Sequence, residues 1–371
     1  MANDLAAVIP TILKMGARTL RSNCPTVRLV DTQYSPEPGE FGSSVDVTRV
    51  RSMTAYDVVP AATSQTPSDV VTYKTPIQIN QWKAQSFAFT DKEVREVLQG
   101  TFPKAIEAAL ISVAESVESV VQSEFKKFFQ TAGTVGTVPF AAGTIADATL
   151  CDRRLNDTKT PPSMRQMVVN AAAWQNMKNV ATFHKQNEFR DSQVLSTGAL
   201  ANVLGFGVNM SQLVTTHTAG TGSGYLVNNG SGLAVGAKTA TVDTGSGTIL
   251  VGDIVTFAGH TQTYVVTAAL AANNFSFEPG LVATVADNAA VTVLATHTLN
   301  AAFHREAIQI ATRAPMRSQI PGAQVAQIRD EETGLVLALE YHREWFRDHW
   351  AFSVLFGTAT AYREMGVRLL A

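Results

Sequence analysis

The sequence predicts an α+β fold split by an inserted small β-barrel or sandwich domain, and three observations carry that prediction. One long amphipathic helix runs from about 103 to 130. From 218 to 298 the composition turns to Gly, Ala, Thr, Val and Asn, in short alternating runs separated by turn residues. From 299 onward dense strand-like runs return, so the main domain resumes after an interruption.

Bulk properties agree with such a chain. Its 371 residues suggest two or three domains. With 45% hydrophobic residues it can bury large cores, while 16% charged residues is below the ~25% of an average globular protein. A chain that hides surface against copies of itself shows that deficit, and so does a poorly charged enzyme. Formal net charge is −2 with no basic stripe, which argues against tight, phosphate-neutralising DNA binding. Cys24 and Cys151 stand far apart, neither a disulfide framework nor a zinc pattern, as expected in a reducing cytoplasm. The opening MANDLAAVIPTILKMGARTL lacks the basic and long apolar regions of a signal peptide. No run of 18 uninterrupted apolar residues predicts a membrane span.

The elements follow in order. Leu5, Val8, Ile9, Leu13 and Ala17 fall at helical spacing, and a stretch punctuated by Pro25, Pro36 and Pro38 comes next. Residues 1–40 read as an arm that needs a partner surface. Between 41 and 90, FGSSVDVTRVRS and VVTYKTPIQINQWKAQSFAFT alternate in the manner of half-buried strands around the turn-rich PAATSQTPSD. Two long strands joined there make an extended hairpin, which is marginal in water by itself and should lie on something else.

At Thr90 the period switches to helix. Thr90 with Glu93 forms a capping box, and Phe89 with Val94 a hydrophobic staple. A second helix begins near Pro103, a residue suited to a first turn. At 1.5 Å per residue it would be roughly 40 Å long. Ile106, Leu110, Val113, Val117, Val120, Val121, Phe125 and Phe128 line one face, with Glu107, Glu115, Glu118, Gln122 and Glu124 largely opposite.

Residues 132–216 read as mixed α/β, with a buried-strand candidate at Met167–Asn170 followed by a helix. In the inserted segment, KTATVDT, DIVTFAG, QTYVVTA, NFSFE and AAVTVL are the strands. Lys238 is its one base against Asp243, Asp253, Glu278 and Asp287, a charge of −3. Gly252 and Gly259 should bound a strand and resist substitution if their φ is positive. Beyond 298, NAAFHREAIQIAT, QVAQIRDEETGLVLALEYH and HWAFSVLFGTATAYREMGVRLL read as strands of the resumed main domain.

Three stretches carry a family likeness: AFTDKEV (Ala88 to Val94), GDIVTFAG (Gly252 to Gly259), and LNAAFHREAIQIATRAP (Leu299 to Pro315) with the later DEETGL and VLFGTATAYRE. Through them the chain resembles the major capsid (coat) proteins of tailed phages, of the podophage type with an inserted β-rich domain. The resemblance implies the tailed-phage capsid fold. Residues 1–40 would be the N-terminal arm and 41–90 the extended loop. Residues 91–217 would hold the spine helix and the first part of the axial and peripheral core, 218–298 the inserted domain, and 299–371 the return to that core.

It also implies self-assembly through hexamers and pentamers into an icosahedral shell enclosing double-stranded phage DNA. The protein would reside in the virion after assembly in the host bacterial cytoplasm. Its implied partners are other copies of itself, a portal protein and packaged DNA held non-specifically, with or without decoration proteins, and no membrane. No long charged propeptide precedes the arm, so a separate scaffolding protein is expected. The alternative is another structural virion or tail protein whose insertion is an adhesion-type module.

His304-Arg305-Glu306 and His342-Arg343-Glu344 invite acid–base or metal roles, and His342 and His349, seven apart, would share a face if helical. No HExxH motif or cysteine cluster supports them, so salt links are the expectation. The GTGSG string at Gly220 to Gly224 lacks a Walker lysine and reads as a flexible connection. Trp345, Phe346, Trp350 and Phe352 are expected in a β-domain core. Some relatives of this fold join subunits by Lys–Asn isopeptide bonds, for which Lys74 or Lys83 would be placed; the resembled branch generally lacks them. No catalytic, cofactor-binding or metal residue is assigned, and no enzymatic activity is expected.

Overall fold

The computed structural model describes residues 5–32, 41–50, 53, 55, 57, 69–91, 101–184, 200, 202–315 and 322–371. Pro36 and Pro38, most of the PAATSQTPSD turn, and Glu93 and Val94 of the capping box and staple lie outside the described residues.

Helix α1 (Leu5–Asn23) turns Ile12, Leu13, Ala17 and Leu20 inward, one residue or more from each turn. Gly16 makes the close approach possible, since a Cβ there would sit 2.5 Å from the Leu337 side chain and 3.0 Å from that of Leu110. Cys24, Val27 and Val30 continue into the same core. Over 5–32 the segment thus packs against its own chain.

Strands β1 (Ser44–Val50) and β2 (Thr72–Gln78) pair antiparallel, from Ser44 opposite Gln78 to Val50 opposite Thr72. The expected second long strand is broken at Ile79–Asn80. Val47, Ile77 and Ile79 bury against Ala311, Leu355, Ala359 and Ala361, and β3 (Gln81–Thr90) departs into a different sheet.

Helix α2 (Thr101–Ser123) has 23 residues, about 35 Å at 1.5 Å each. Ile106, Leu110, Val113, Val117 and Val121 are buried along its stripe. Its axis stops short of the expected end, because Glu124–Lys127 tighten into a 3-10 turn that carries Phe125 and Phe128 onward into the core. After β4 (Gln130–Ala132) and α3 (Ala146–Asp157) comes β5 (Arg165–Val169). Asn170 caps α4 (Ala171–Lys178) by accepting from the Ala173 N–H, so the strand ends one residue before its expected limit. Strands β6 (Asn202–Val203), β7 (Phe206–Met210) and β8 (Thr216–His217) follow.

The inserted segment forms a closed barrel from β9 (Tyr225–Val227), β10 (Thr239–Asp243), β11 (Ile254–Phe257), β12 (Tyr264–Ala271), β13 (Asn274–Glu278) and β14 (Ala290–Val293). The strand order is β10-β13-β12-β11-β14-β9. Of the two expected forms, barrel and sandwich, it is the barrel. Phe257, Tyr264, Phe275 and Phe277 fill it, as alternate residues of its strands must. β9 was not anticipated, being only three residues long, yet it is the strand that closes the ring.

β15 (His297–Thr298) pairs with β8, so the chain enters and leaves the barrel through one two-stranded neck. The rest is β16 (Asn300–His304), β17 (Ile308–Arg313), β18 (Gln324–Arg329), β19 (Val336–Glu344), β20 (Arg347–Thr360) and β21 (Gly366–Leu369). One sheet runs β4-β21-β16-β5-β7-β6; the other runs β17-β20-β19-β18, with β3 also on β20. Helices α1 and α2 cover the second sheet over Leu337, Leu339, Phe352 and Val354.

Candidate assembly surfaces and buried polar junctions

Among the described residues the β1–β2 ribbon packs on the body through its Ser44–Gln78 end, and Arg49 also reaches Glu364 and the Tyr362 ring. Near its base Val47 and Ile77 are buried. Toward the tip Val50, Val70, Val71 and Tyr73 are exposed, as is Met53 beyond β1. Val50 faces Thr72 and Arg49 faces Tyr73. Adjacent pairs in a ladder project to opposite sides, so apolar groups emerge on both faces of the ribbon. Phe41 and Trp82 add a further exposed pair at the base, with ring centroids 6.3 Å apart. A two-stranded ribbon bearing exposed apolar groups is marginal alone and marks a contact surface.

The neck is held by buried charge. His217 Nε2 lies 2.8 Å from Asp253 Oδ1, and the Gly220 and Leu250 N–H groups donate to the same carboxylate. Arg368, on β21 and fully buried, donates from Nε to the Phe128 carbonyl at 2.9 Å and from Nη2 to the Lys126 carbonyl. Its Nη1 is 3.5 Å from His297 Nε2. His297 Nδ1 is bonded to the Ala295 carbonyl, which makes Nδ1 the protonated nitrogen and leaves Nε2 free to accept. Burial pulls His297 down to about 4 and Arg368 down to about 9. Gly252 and Gly259 bracket β11 with φ of +94° and +87°, as expected. The GTGSG string is no loose tether: Gly222 and Ser223 donate from their backbone to Thr248 and Ser246, correcting the flexible reading.

A second buried junction lies where the sequence predicts a solvated helix face. Glu118, Gln122 and Glu124, assigned to the polar face of the long helix, are all buried. Glu118 accepts from the backbone N–H of Thr26 at 3.1 Å, from the Thr26 hydroxyl, and from Gln122 Nε2 at 2.8 Å. Gln122 also donates to Ser211 at 2.7 Å. Burial pushes the Glu118 carboxyl up, against the pull of these donors. Glu124 is held by Lys127 and by the Thr360 hydroxyl at 2.8 Å. A polar helical stripe looks the same in sequence whether water or a chain segment covers it.

The remaining candidates are scattered. His304 is buried at the end of β16 and accepts from the Glu306 N–H, which accounts for that His-Arg-Glu as a turn device. His342 and His349 lie opposite each other on β19 and β20, not on a helix. Trp350 and Phe352 are in the core, but Trp345 is 88% exposed and Phe346 is 62% exposed. Those two occupy the turn between β19 and β20, too far along the hairpin to reach the core, and their core assignment is corrected. Lys74 Nζ is 3.4 Å from Asp46 across the hairpin. Among the described residues no group of three or more His, Cys, Asp or Glu is placed to hold a metal ion. Among them, too, no helix is long and apolar enough to cross a membrane.

No protein-family model and no curated protein matches the chain. Solved structures do. One from Mycobacterium phage Che8 aligns with a TM-score of 0.52 at 13% identity, covering 92% of this chain and 89% of that one. The capsid structure of the cyanophage P-SCSP1u aligns with a TM-score of 0.51 at 11% identity, covering 92% and 86%. The chain has the mixed helix-and-sheet fold of these phage structures across nearly its whole length.

Proposed function

We propose that the chain is the major capsid protein of a tailed phage, assembling through hexamers and pentamers into an icosahedral shell around double-stranded DNA. The observation that carries this reading is the β1–β2 ribbon, fixed at its base and exposing apolar side chains from both faces. Such a surface suits contact with another subunit, and a head-to-tail contact of this kind closes into rings where its rotation allows. The likeness in fold to a cyanophage capsid supports it.

In this reading 1–40 form the arm, 41–90 the extended loop, 91–217 the spine helix with part of the core, 218–298 the insertion, and 299–371 the rest of the core. The protein resides in the virion after assembly in the bacterial cytoplasm. A scaffolding protein and a portal protein are its assembly partners, and the packaged DNA is held non-specifically, with or without decoration proteins. It has structural work and no catalytic work.

Electron microscopy of the purified protein, with and without a co-expressed scaffolding protein, tests the reading. Spheres, or rings of five and six subunits, are expected. Tubes or small discrete complexes would favour a tail or other virion component instead.

A further inference from the structure

Two imidazoles face each other next to the turn of the β19–β20 hairpin. His342 and His349 are direct cross-strand partners, with ring centroids 4.5 Å apart and planes inclined by 34°. His342 is buried, and Nδ1 of each ring is buried with no hydrogen-bond partner. Among the described residues no group of three or more His, Cys, Asp or Glu is placed there to hold a metal ion. What the site holds is two neighbouring bases.

The charged groups that face them are few. β19 contributes Glu340, 3.7 Å from His342 Nδ1, and Glu344, 3.1 Å from His342 Nε2. β20 contributes Arg347, which is itself bonded to Glu344. On the other side β3 presents Ala88 opposite His349, with no charge. Protonating both rings would place like charges 4.5 Å apart, with the His342 side buried.

We propose that this pair is a proton-operated release: the second proton parts β19 from β20 around His342 and His349, and frees the turn that carries Trp345 and Phe346. The rest of the sheet stays paired, because Leu339, Phe352 and Val354 are buried under α1 and α2. Burial, and then His342 itself, already hold His349 below the ordinary histidine range. Stability at this site is thus complete above that range and is lost as pH falls, so the release works in acid. The turn is otherwise fastened by the Asp91 N–H donating to the Phe346 carbonyl and by Arg343 bonded to the Asp91 carboxylate.

Amide hydrogen exchange of the full chain, corrected for intrinsic pH dependence, tests this between pH 7.5 and about 5, the span an imidazole titrates across. Exchange over 342–349 should rise about tenfold in acid, while 352–358 stays protected. His349→Gln and, as a ring-keeping alternative, His349→Phe should each remove the rise, since neither accepts a proton. A flat wild-type profile, or an equal rise in both variants, would overturn the proposal. The readout is local and does not depend on shell assembly.

Discussion

Arg368 and His297 meet at 3.5 Å beneath the neck, with the guanidinium also bonded to the carbonyls of Lys126 and Phe128. A cation on the last strand thus joins the end of the long helix to the strand by which the chain leaves the barrel. Arg368→Met would leave both carbonyls and the ring without their donor. Relief of desolvation offsets part of the loss, and a net cost of about 2–4 kcal/mol is expected. The urea midpoint, measured with the slope held as a control, reads it.

The same junction makes stability depend on pH. His297 is held at about 4 in the folded chain, against an ordinary value of 6.5. The unfolded chain binds the proton more readily, so this contribution is complete above pH 6.5 and falls away as pH drops toward 4. Between pH 7.5 and 5 the loss should be about 2 kcal/mol, and His297→Gln should flatten that slope in denaturant titrations at the two pH values.

Glu118 tests the second junction. Glu118→Ala strands the Thr26 N–H and hydroxyl without their acceptor and removes one of the acceptors of the Gln122 amide, at about 2–3 kcal/mol. Glu118→Gln keeps an oxygen in place without the charge that burial disfavours, and should cost less. Chemical denaturation of the two variants side by side gives the ordering, and a reversed ordering would contradict the assignment.

Val117→Asp places an unpaired charge in the fully buried stripe of α2. A loss of about 4 kcal/mol or more is expected, enough that soluble, cooperatively folding subunit should not be recovered. Circular dichroism on any soluble fraction is the check.

What was legible in the sequence was local periodicity. The stripe from Ile106 to Val121 repeats with the helix, and the barrel strands from Thr239 to Val293 alternate between turn residues, so both could be read without knowing what they touch. Burial of Glu118 could not be read, because it depends on Thr26 being brought to it from 92 positions away. His342 and His349 fit a helix as well as a hairpin by spacing alone; the two-residue turn at Trp345–Phe346 decides between them by placing residues seven apart directly across the strands. That turn also separates the exposed Trp345 from the buried Trp350. The long strand expected through Ile79 failed for a similar reason: only the packing of Ile77 and Ile79 on Ala359 and Leu355 shows where the ribbon must end.

The most direct test of the account is sedimentation velocity of the purified chain beside a variant carrying Val50→Ser, Val71→Ser and Tyr73→Ser, all exposed on the ribbon. The wild type should sediment as rings or larger closed particles, and the variant as a folded monomer with an unchanged circular dichroism spectrum. A wild-type chain that stays monomeric at every concentration and salt, with or without a scaffolding protein, would contradict it.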